Sequence, residues 1–245
     1  MQLPTRVRRA IAEMLDLVFD IYATRSYSQE GEDMILRRIF EGQRYGFYVD
    51  VGAHHPHRFS NTNLFYKKGW RGINIEPCPD ALRAFKSRRP RDINLQIGIS
   101  DCTETLTYYC LDEPALNTFD ADLLRRRLEG SPYKLVKRIS VPVKRLDDVL
   151  REHVPTTQAI DFLSVDVEGL DLHVLRSNDW AVFRPECVLV ESLNSSLEDS
   201  LHKSVFHFMK DQGYELLGKT FNTMIFRRKV RSHAEATADL VGTSV

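Results

Sequence analysis

The sequence predicts an α/β fold, a mostly parallel, doubly wound sheet that ends in an antiparallel C-terminal pair. Three observations carry this. Short strand-like runs alternate with segments of helical spacing, the pattern of parallel strands joined by crossover helices. Acidic and small polar residues recur just after those runs, at the carboxyl edge where open sheets bind ligands. The last two strand-like runs follow one another directly and read as an antiparallel pair.

The elements run in order. Val7, Ile11, Met14, Leu15, Val18 and Tyr22 fall at helical spacing, so 1–25 is expected to hold an N-terminal amphipathic helix. Glu13, Asp16 and Asp20 interrupt it, and no small-residue cleavage site follows, which argues against a signal peptide. Packing on the domain or on a second subunit is the first reading, and Arg6, Arg8 and Arg9 raise weak membrane-surface contact as a second. "MILRRIF" (34–40) reads as helix, "FYVDV" (47–51) as the first strand and "NTNLFYKKG" (61–69) as a helix ending at Gly69. "GINIE" (72–76) is the second strand, "PDALRAFKSRR" (79–89) a helix and "INLQIGIS" (93–100) the third strand. "DFLSVDVE" (161–168) is the next core strand, followed by a helix through "LDLHVLRSN", and "CVLVES" (187–192) is the fifth. A helix over 197–212 ends at Gly213, and 214–218 and 222–228 form the closing pair.

The rhythm breaks between 102 and 148. "TLTYYCL" (105–111) alternates like an exposed strand, "DADLLRRRLEG" (120–130) looks helical, and "KRISVPVKRLDDVL" (137–150) reads as a strand entering a helix. An insertion of this length is more often functional than connective, and here it is expected to lie over the strand ends. The organisation expected is therefore an N-terminal helix (1–25), one domain (26–230) with that insertion, and an aperiodic flexible tail (231–245).

Composition narrows the function. The 245 residues carry 34 basic and 34 acidic side chains, which gives no electrostatic reason to expect a nucleic-acid partner. Four cysteines at 78, 102, 110 and 187 form no CxxC, so free thiols in a reducing cytoplasm are expected. No apolar run approaches the length of a membrane span.

The strand ends carry the chemistry. Asp50, Gly52, Ala53 and His54 follow the first strand, Glu76 and Pro77 the second, and Ser100 and Asp101 the third. Asp166, Glu168 and Gly169 follow the fourth, and Glu191, Ser192 and Asn194 the fifth. A glycine there lets backbone approach a ligand, and an acidic residue after the second strand can accept hydrogen bonds from both ribose hydroxyls. A dinucleotide fold needs GxGxxG at this point, whereas the chain has "DVGAHHP", which makes no room for a diphosphate. A nucleoside cofactor without phosphate fits better. S-adenosylmethionine (SAM) leads, with Asp50 facing its methionine amino group.

These residues carry a resemblance. "SYSQEGEDMIL" (26–36), "FYVDVGAHHPHRFSNTNLFYKKGWRGINIEPCP" (47–79), "KRISVPVKRLDDVL" (137–150) and "IDFLSVDVEGLDLHVLRSND" (160–179) together resemble the FkbM family of SAM-dependent methyltransferases. The likeness runs from about Ser26 to Arg228 and rests on the order of the pieces. It implies a Rossmann-like class I methyltransferase fold and O-methylation of a hydroxyl on a sugar, a glycan or a glycosylated natural product. Asp50, Gly52 and Ala53 then look like the cofactor loop. Ser60 and Asn61 would open the next helix beneath the methionine carboxylate, although Ser60 also suits a plain N-cap. Glu76, Pro77, Ser100, Asp101 and Asp166 complete the expected cofactor contacts.

The catalytic candidates are Asp166, His54 and Glu168. For His54, His55 and His57 a zinc cluster lacks an HxH on one strand face, an HExxH or a nearby Cys, so one histidine, His54, is expected to face the active site as base or acceptor ligand. Residues two apart on a strand share a face, so Asp166 and Glu168 could both reach the edge, where with Glu191 they could hold Mg²⁺ or Mn²⁺. Glu168 as a helix cap is the plain alternative. Tyr108, Tyr109 and Phe119 of the insertion are expected to stack on a sugar acceptor or to pack locally. A small-molecule or glycan acceptor and a homo-oligomer are the partners considered. A nicotinamide oxidoreductase and a non-enzymatic SAM- or partner-binding module stand as rivals.

Overall fold

In a computed structural model the described residues are 4–20, 23–193 and 195–229. Tyr22, Asn194 and the expected tail at 231–245 lie outside them.

Seven strands form the main sheet: β1 (Phe47–Val51), β2 (Arg71–Ile75), β3 (Ile93–Leu95), β7 (Phe162–Val165), β8 (Cys187–Glu191), β9 (Tyr214–Lys219) and β10 (Thr223–Arg228). Their order is β3-β2-β1-β7-β8-β10-β9. The first five are parallel, and β10 runs antiparallel to both β8 and β9. Side chains alternate across this sheet. Phe47, Val49 and Val51 of β1, Leu163 and Val165 of β7, and Val188 and Val190 of β8 enter one core, with α6 (Leu146–His153), α7 (Asp171–Arg176) and α9 (Ser204–Asp211). Tyr48, Phe162, Cys187 and Leu189 face the other core, with α2 (Glu32–Ile39) and α3 (Asn63–Lys67). There Phe162 packs within 5.0 Å of Phe65 and 5.7 Å of Tyr48, ring centre to ring centre. Burial on both faces is why the strands read as near-continuous apolar runs.

The insertion folds as a second sheet. β4 (Gly98–Ile99), β5 (Glu104–Leu111) and β6 (Leu135–Lys144) stand in the order β4-β6-β5, with α5 (Ala121–Leu128) between β5 and β6. Asp120 caps α5 by accepting from the Asp122 and Leu123 amides.

Four expectations change. The single strand over 93–100 is two, β3 at the edge of the main sheet and β4 in the small one. Gly98 permits the switch, since a Cβ there would lie 2.6 Å from the Phe119 ring. The helix over 197–212 is also two, α8 (Leu197–Ser200) and α9. Lys203 between them is extended, and its ammonium bonds Ser192 Oγ and the Leu193 carbonyl, both at 3.1 Å. β7 stops at Val165, so Asp166 and Glu168 follow the strand instead of sharing its face. The N-terminal helix, α1 (Thr5–Phe19), leaves Val7, Ile11, Met14 and Leu15 exposed, so of the first reading, packing on the domain or on a second subunit, these side chains do not follow the domain half.

One buried cation fixes the loop after β1. Arg89, at the C-terminal end of α4 (Pro79–Arg88), donates to the Pro56 carbonyl at 2.6 and 3.0 Å, to Ser60 Oγ at 2.7 Å and to Thr62 Oγ1 at 2.6 Å. Thr62 passes the connection on by donating to Asp50 at 2.8 Å. Arg89→Met should remove these bonds and strand buried acceptors, costing about 3 kcal/mol of stability. Urea unfolding measures this, and a loss below about 1 kcal/mol would mean that the loop is held by other contacts.

Candidate active site

One pocket opens beyond the carboxyl ends of β1, β2, β7 and β8. Asp50, Gly52, Ala53, His54, Asn61, Glu76, Pro77, Asp166, Glu168 and Glu191 all line it. The structure therefore brings together most of the residues that the sequence singles out. Gly52 is the pivot. Its φ is +79°, and a Cβ would lie 1.7 Å from the Asp166 carbonyl oxygen, so only glycine lets the loop after β1 lie against the chain leaving β7. The Gly52 and Ala53 amides both donate to the Ile75 carbonyl, at 3.0 and 3.1 Å.

At one end of the pocket Glu76 accepts from the amides of His54 (2.9 Å) and Cys78 (2.8 Å). Burial outweighs those bonds and pushes its carboxyl up to about 7. Pro77, Ile97, Gly98, Tyr108 and Phe119 surround this end. Asp50 is buried as well, and burial pushes its carboxyl up against the Thr62 hydrogen bond. Asn61 donates to Ser164 Oγ at 3.1 Å on the neighbouring wall.

At the other end stand three carboxylates. Asp166, Glu168 and Glu191 each offer an oxygen within 4.8 Å of the others, and among the described residues no other set of three His, Cys, Asp or Glu side chains gathers this closely. A left-handed turn, with Glu168 at φ +56° and Gly169 at +102°, returns Glu168 beside Asp166. The insertion clamps that turn. Arg127 of α5 pairs with the Glu168 carboxylate and donates to the Leu116 carbonyl, and Thr118 donates to the Glu168 carbonyl. Burial raises the Glu168 carboxyl, with Arg127 opposing it. Burial, then the charge of Asp166, raises Glu191 far above the carboxylate range. Crowding by protein atoms, then the charge of Glu168, raises Asp166. Solvent reaches Asp166 through the open pocket, so repulsion within the cluster is the sturdier cause. Like charges this close hold a proton between them, or a cation.

The histidines separate. His54, at φ +52°, lines the pocket, and its Nε2 is buried without a partner. Burial first, then Arg58, pushes its pKa down to about 4, so the ring is neutral at pH 7. His55 Nδ1 accepts from the His57 and Arg58 amides, and His57 packs edge-on against Tyr27.

Other placements differ from expectation. α3 begins at Asn63 and has five residues, so Ser60 and Asn61 do not open a helix beneath an anion. Ser60 is buried beneath the loop, where it accepts from Arg89 and from the Asn63 amide. Ser100 and Asp101 lie outside the lining, because the chain leaves the main sheet after Leu95. Asp101 instead meets His173 at 3.0 Å on the surface. Tyr108 and Phe119 stand at the Glu76 end, and Tyr109 lies outside the lining, beneath Arg138. Gln29, Phe59, Arg127 and Ser164 line the pocket without having been singled out. Leu124 is buried on α5, and helical spacing from it points Arg127 inward, a signal that the basic run 125–127 hides.

This strand order, with β10 antiparallel between β8 and β9, is that of class I SAM-dependent methyltransferases, and the pocket stands where that fold binds its cofactor. The family described as the methyltransferase FkbM domain matches residues 50–216. Methyltransferase sdnD of Sordaria araneosa is 34% identical over 207 residues, covering 69% of this chain and 74% of that protein. The chain belongs to the FkbM methyltransferase family and is a SAM-dependent methyltransferase. Among solved structures it is similar to an O-methyltransferase from Bacillus cereus in complex with S-adenosylhomocysteine, at 10% identity and a TM-score of 0.40, covering 88% of each chain. It is also similar to the 1,6-didemethyltoxoflavin-N1-methyltransferase of Burkholderia thailandensis, at 11% identity and a TM-score of 0.41, covering 94% of this chain and 93% of that one.

Glu76 yields a pH test. Its carboxyl titrates near 4.5 when unfolded and at about 7 when folded, so the folded state binds the proton more tightly. The contribution is present below pH 4.5 and is lost as pH rises to about 7. Glu76→Gln should remove that decline. Urea unfolding from pH 5 to pH 8 measures it, and identical slopes for the two proteins would mean that Glu76 does not titrate in this window.

Proposed function

We propose that the chain is a cytoplasmic O-methyltransferase that transfers the SAM methyl group to a hydroxyl of a sugar, a glycan or a glycosylated natural product. The carboxylate cluster of Asp166, Glu168 and Glu191 carries the reading. An amine acceptor needs no base once it is neutral, whereas a hydroxyl must lose its proton as its oxygen attacks. The cluster offers carboxylates of raised proton affinity on the pocket wall beside the Gly52 turn. Carboxylates also accept hydrogen bonds from neighbouring hydroxyls of a polyol. Four free cysteines among the described residues agree with a reducing compartment, and no described helix is long and apolar enough to cross a membrane.

The cofactor fits the pocket. Glu76 would take the ribose hydroxyls, Asp50 the methionine ammonium, and Gly52 and Ala53 the close backbone approach. Bound there, SAM supplies an electrophilic sulfonium methyl. With SAM held there, Asp166 and Glu191, sharing a proton, would receive the acceptor's proton as its oxygen takes up the methyl group. His54, neutral and lining the pocket with an unpartnered Nε2, would hydrogen-bond an acceptor hydroxyl.

A second reading gives the cluster to Mg²⁺ or Mn²⁺. The all-oxygen donor set suits these hard ions, and because Arg127 engages Glu168, Asp166 and Glu191 are the ligands left open. The ion would lower the hydroxyl pKa.

Two measurements test these assignments. Asp166→Asn should cut turnover by roughly 10²–10⁴-fold, the scale of acid–base catalysis, while leaving SAM affinity nearly intact. Insensitivity of the parent enzyme to EDTA selects the proton-sharing pair, and loss of activity restored by Mg²⁺ selects the ion. Full activity of Asp166→Asn in both conditions removes the residue from the mechanism. Phe119→Ala should weaken SAM binding by roughly 10- to 100-fold if its ring packs on the adenine, since stacking on a base contributes about 1–3 kcal/mol. Unchanged affinity by calorimetry would return Phe119 to the acceptor side.

A further inference from the structure

The segment Ser26–Asp33 invests its acidic residues in anchorage. Asp33 is buried and accepts from Ser26 Oγ (2.6 Å), Ser28 Oγ (2.9 Å) and the Tyr27 amide (2.7 Å). Glu32 is buried and accepts from Thr220 Oγ1 and from the Glu30 amide, both at 2.9 Å. Glu30 holds Asn222 twice, accepting from its amide at 2.7 Å and from its Nδ2 at 2.6 Å.

These anchors fix where Gln29 stands. On one side the Tyr27 carbonyl accepts from the Ser60 amide, in the loop that leaves β1. On the other side Glu30 holds Asn222, whose carbonyl accepts from the Ser192 amide just beyond β8. The segment 27–30 is therefore tied at one end to the loop that leaves β1 and at the other to the turn before β10, beside the end of β8. Gln29 lines the pocket between the anchors, and among the described residues its amide makes no hydrogen bond.

We propose that Gln29 is an acceptor-binding residue: held in a strap fixed between those anchors, its amide hydrogen-bonds a second oxygen of a polyol whose reacting hydroxyl faces Asp166. This rests on the O-methyltransferase reading and specifies the acceptor as a molecule with vicinal oxygens. A carboxamide donates to one oxygen and accepts from another hydroxyl, which suits a diol. Preformed anchorage means that binding does not have to order the strap. Asn222 acts as a positioning residue, since it touches Gln29 only through Glu30.

The test uses the full chain, radiolabelled SAM and a panel of methyl glycosides of hexoses and 6-deoxyhexoses, and carries the glycoside methylated fastest into kinetics. Gln29→Ala should lower kcat/KM for that glycoside roughly 2- to 10-fold, mainly through KM, the scale of one neutral hydrogen bond. Its SAM affinity by calorimetry should be unchanged. Asn222→Ala should lower kcat/KM in the same direction, with SAM binding and the folded circular-dichroism spectrum retained. Combined with Gln29→Ala it should add less than the product of the two effects, because both act on one contact. Gln29→Asn, which keeps the amide, should recover part of the loss. Unchanged kinetics in Gln29→Ala, a matching loss of SAM affinity, or fully multiplicative effects in the double variant would each overturn the proposal while leaving methyl transfer standing. A parent enzyme that binds SAM and methylates none of the glycosides would overturn the sugar reading, and this assignment with it.

Discussion

The geometry of the site depends on the desolvated guanidinium of Arg89. A buried cation must be hydrogen-bonded, and Arg89 meets that need with the Pro56 carbonyl, Ser60 and Thr62. The loop after β1 is therefore fixed by a buried cation of the fold itself. That anchorage lets His54 and Phe59 keep left-handed backbones, each of which costs on the order of 1–3 kcal/mol without support. It also orients Asp50, through Thr62, without using the face of Asp50 that turns to the pocket. The Tyr48 hydroxyl and the Asn74 amide extend the same polar layer to Asp92, under the edge of β2.

The two ends of the pocket differ in charge. One holds a single buried carboxylate, Glu76, among apolar and aromatic walls. The other holds three carboxylates and Arg127. The insertion serves both. Phe119 packs beside Gly98 at the Glu76 end, while α5 sends Arg127 to Glu168. Without Arg127 the cluster of Asp166, Glu168 and Glu191 would carry three acidic groups and lose the cation paired with it, so the insertion is part of the electrostatics of the site as well as its roof.

The fold was legible because both faces of the central strands are buried, which writes β1, β2, β7 and β8 into the sequence as apolar runs with punctuation. The site was legible where it stands at those strand ends: Asp50, Gly52, Glu76, Asp166 and Glu191 needed only topology to meet. Ser100 and Asp101 were misplaced because residues 93–100 read as one strand, and nothing local shows that Gly98 belongs to a different sheet. Grouping Asp166 with Glu168 was right for the wrong reason, since a left-handed turn does what strand alternation was expected to do. Arg127, Gln29 and Arg89 were hidden because their partners lie far away in sequence, and no periodicity encodes an ion pair between residues 127 and 168.

The central pairing of the sheet has a consequence for how the chain comes into being. β1 lies between β2 and β7, and Tyr48 pairs with Phe162. The insertion and α6 must all be made between them. At typical synthesis rates of about 5–20 residues per second, the β7 edge of β1 waits roughly 6–23 s for its partner. During that interval Tyr48, Phe65 and Trp70, which later pack on Phe162, have one side uncovered. A nascent chain halted before β7 thus presents an open strand edge beside an aromatic patch, the kind of surface that chaperones recognise and that drives aggregation.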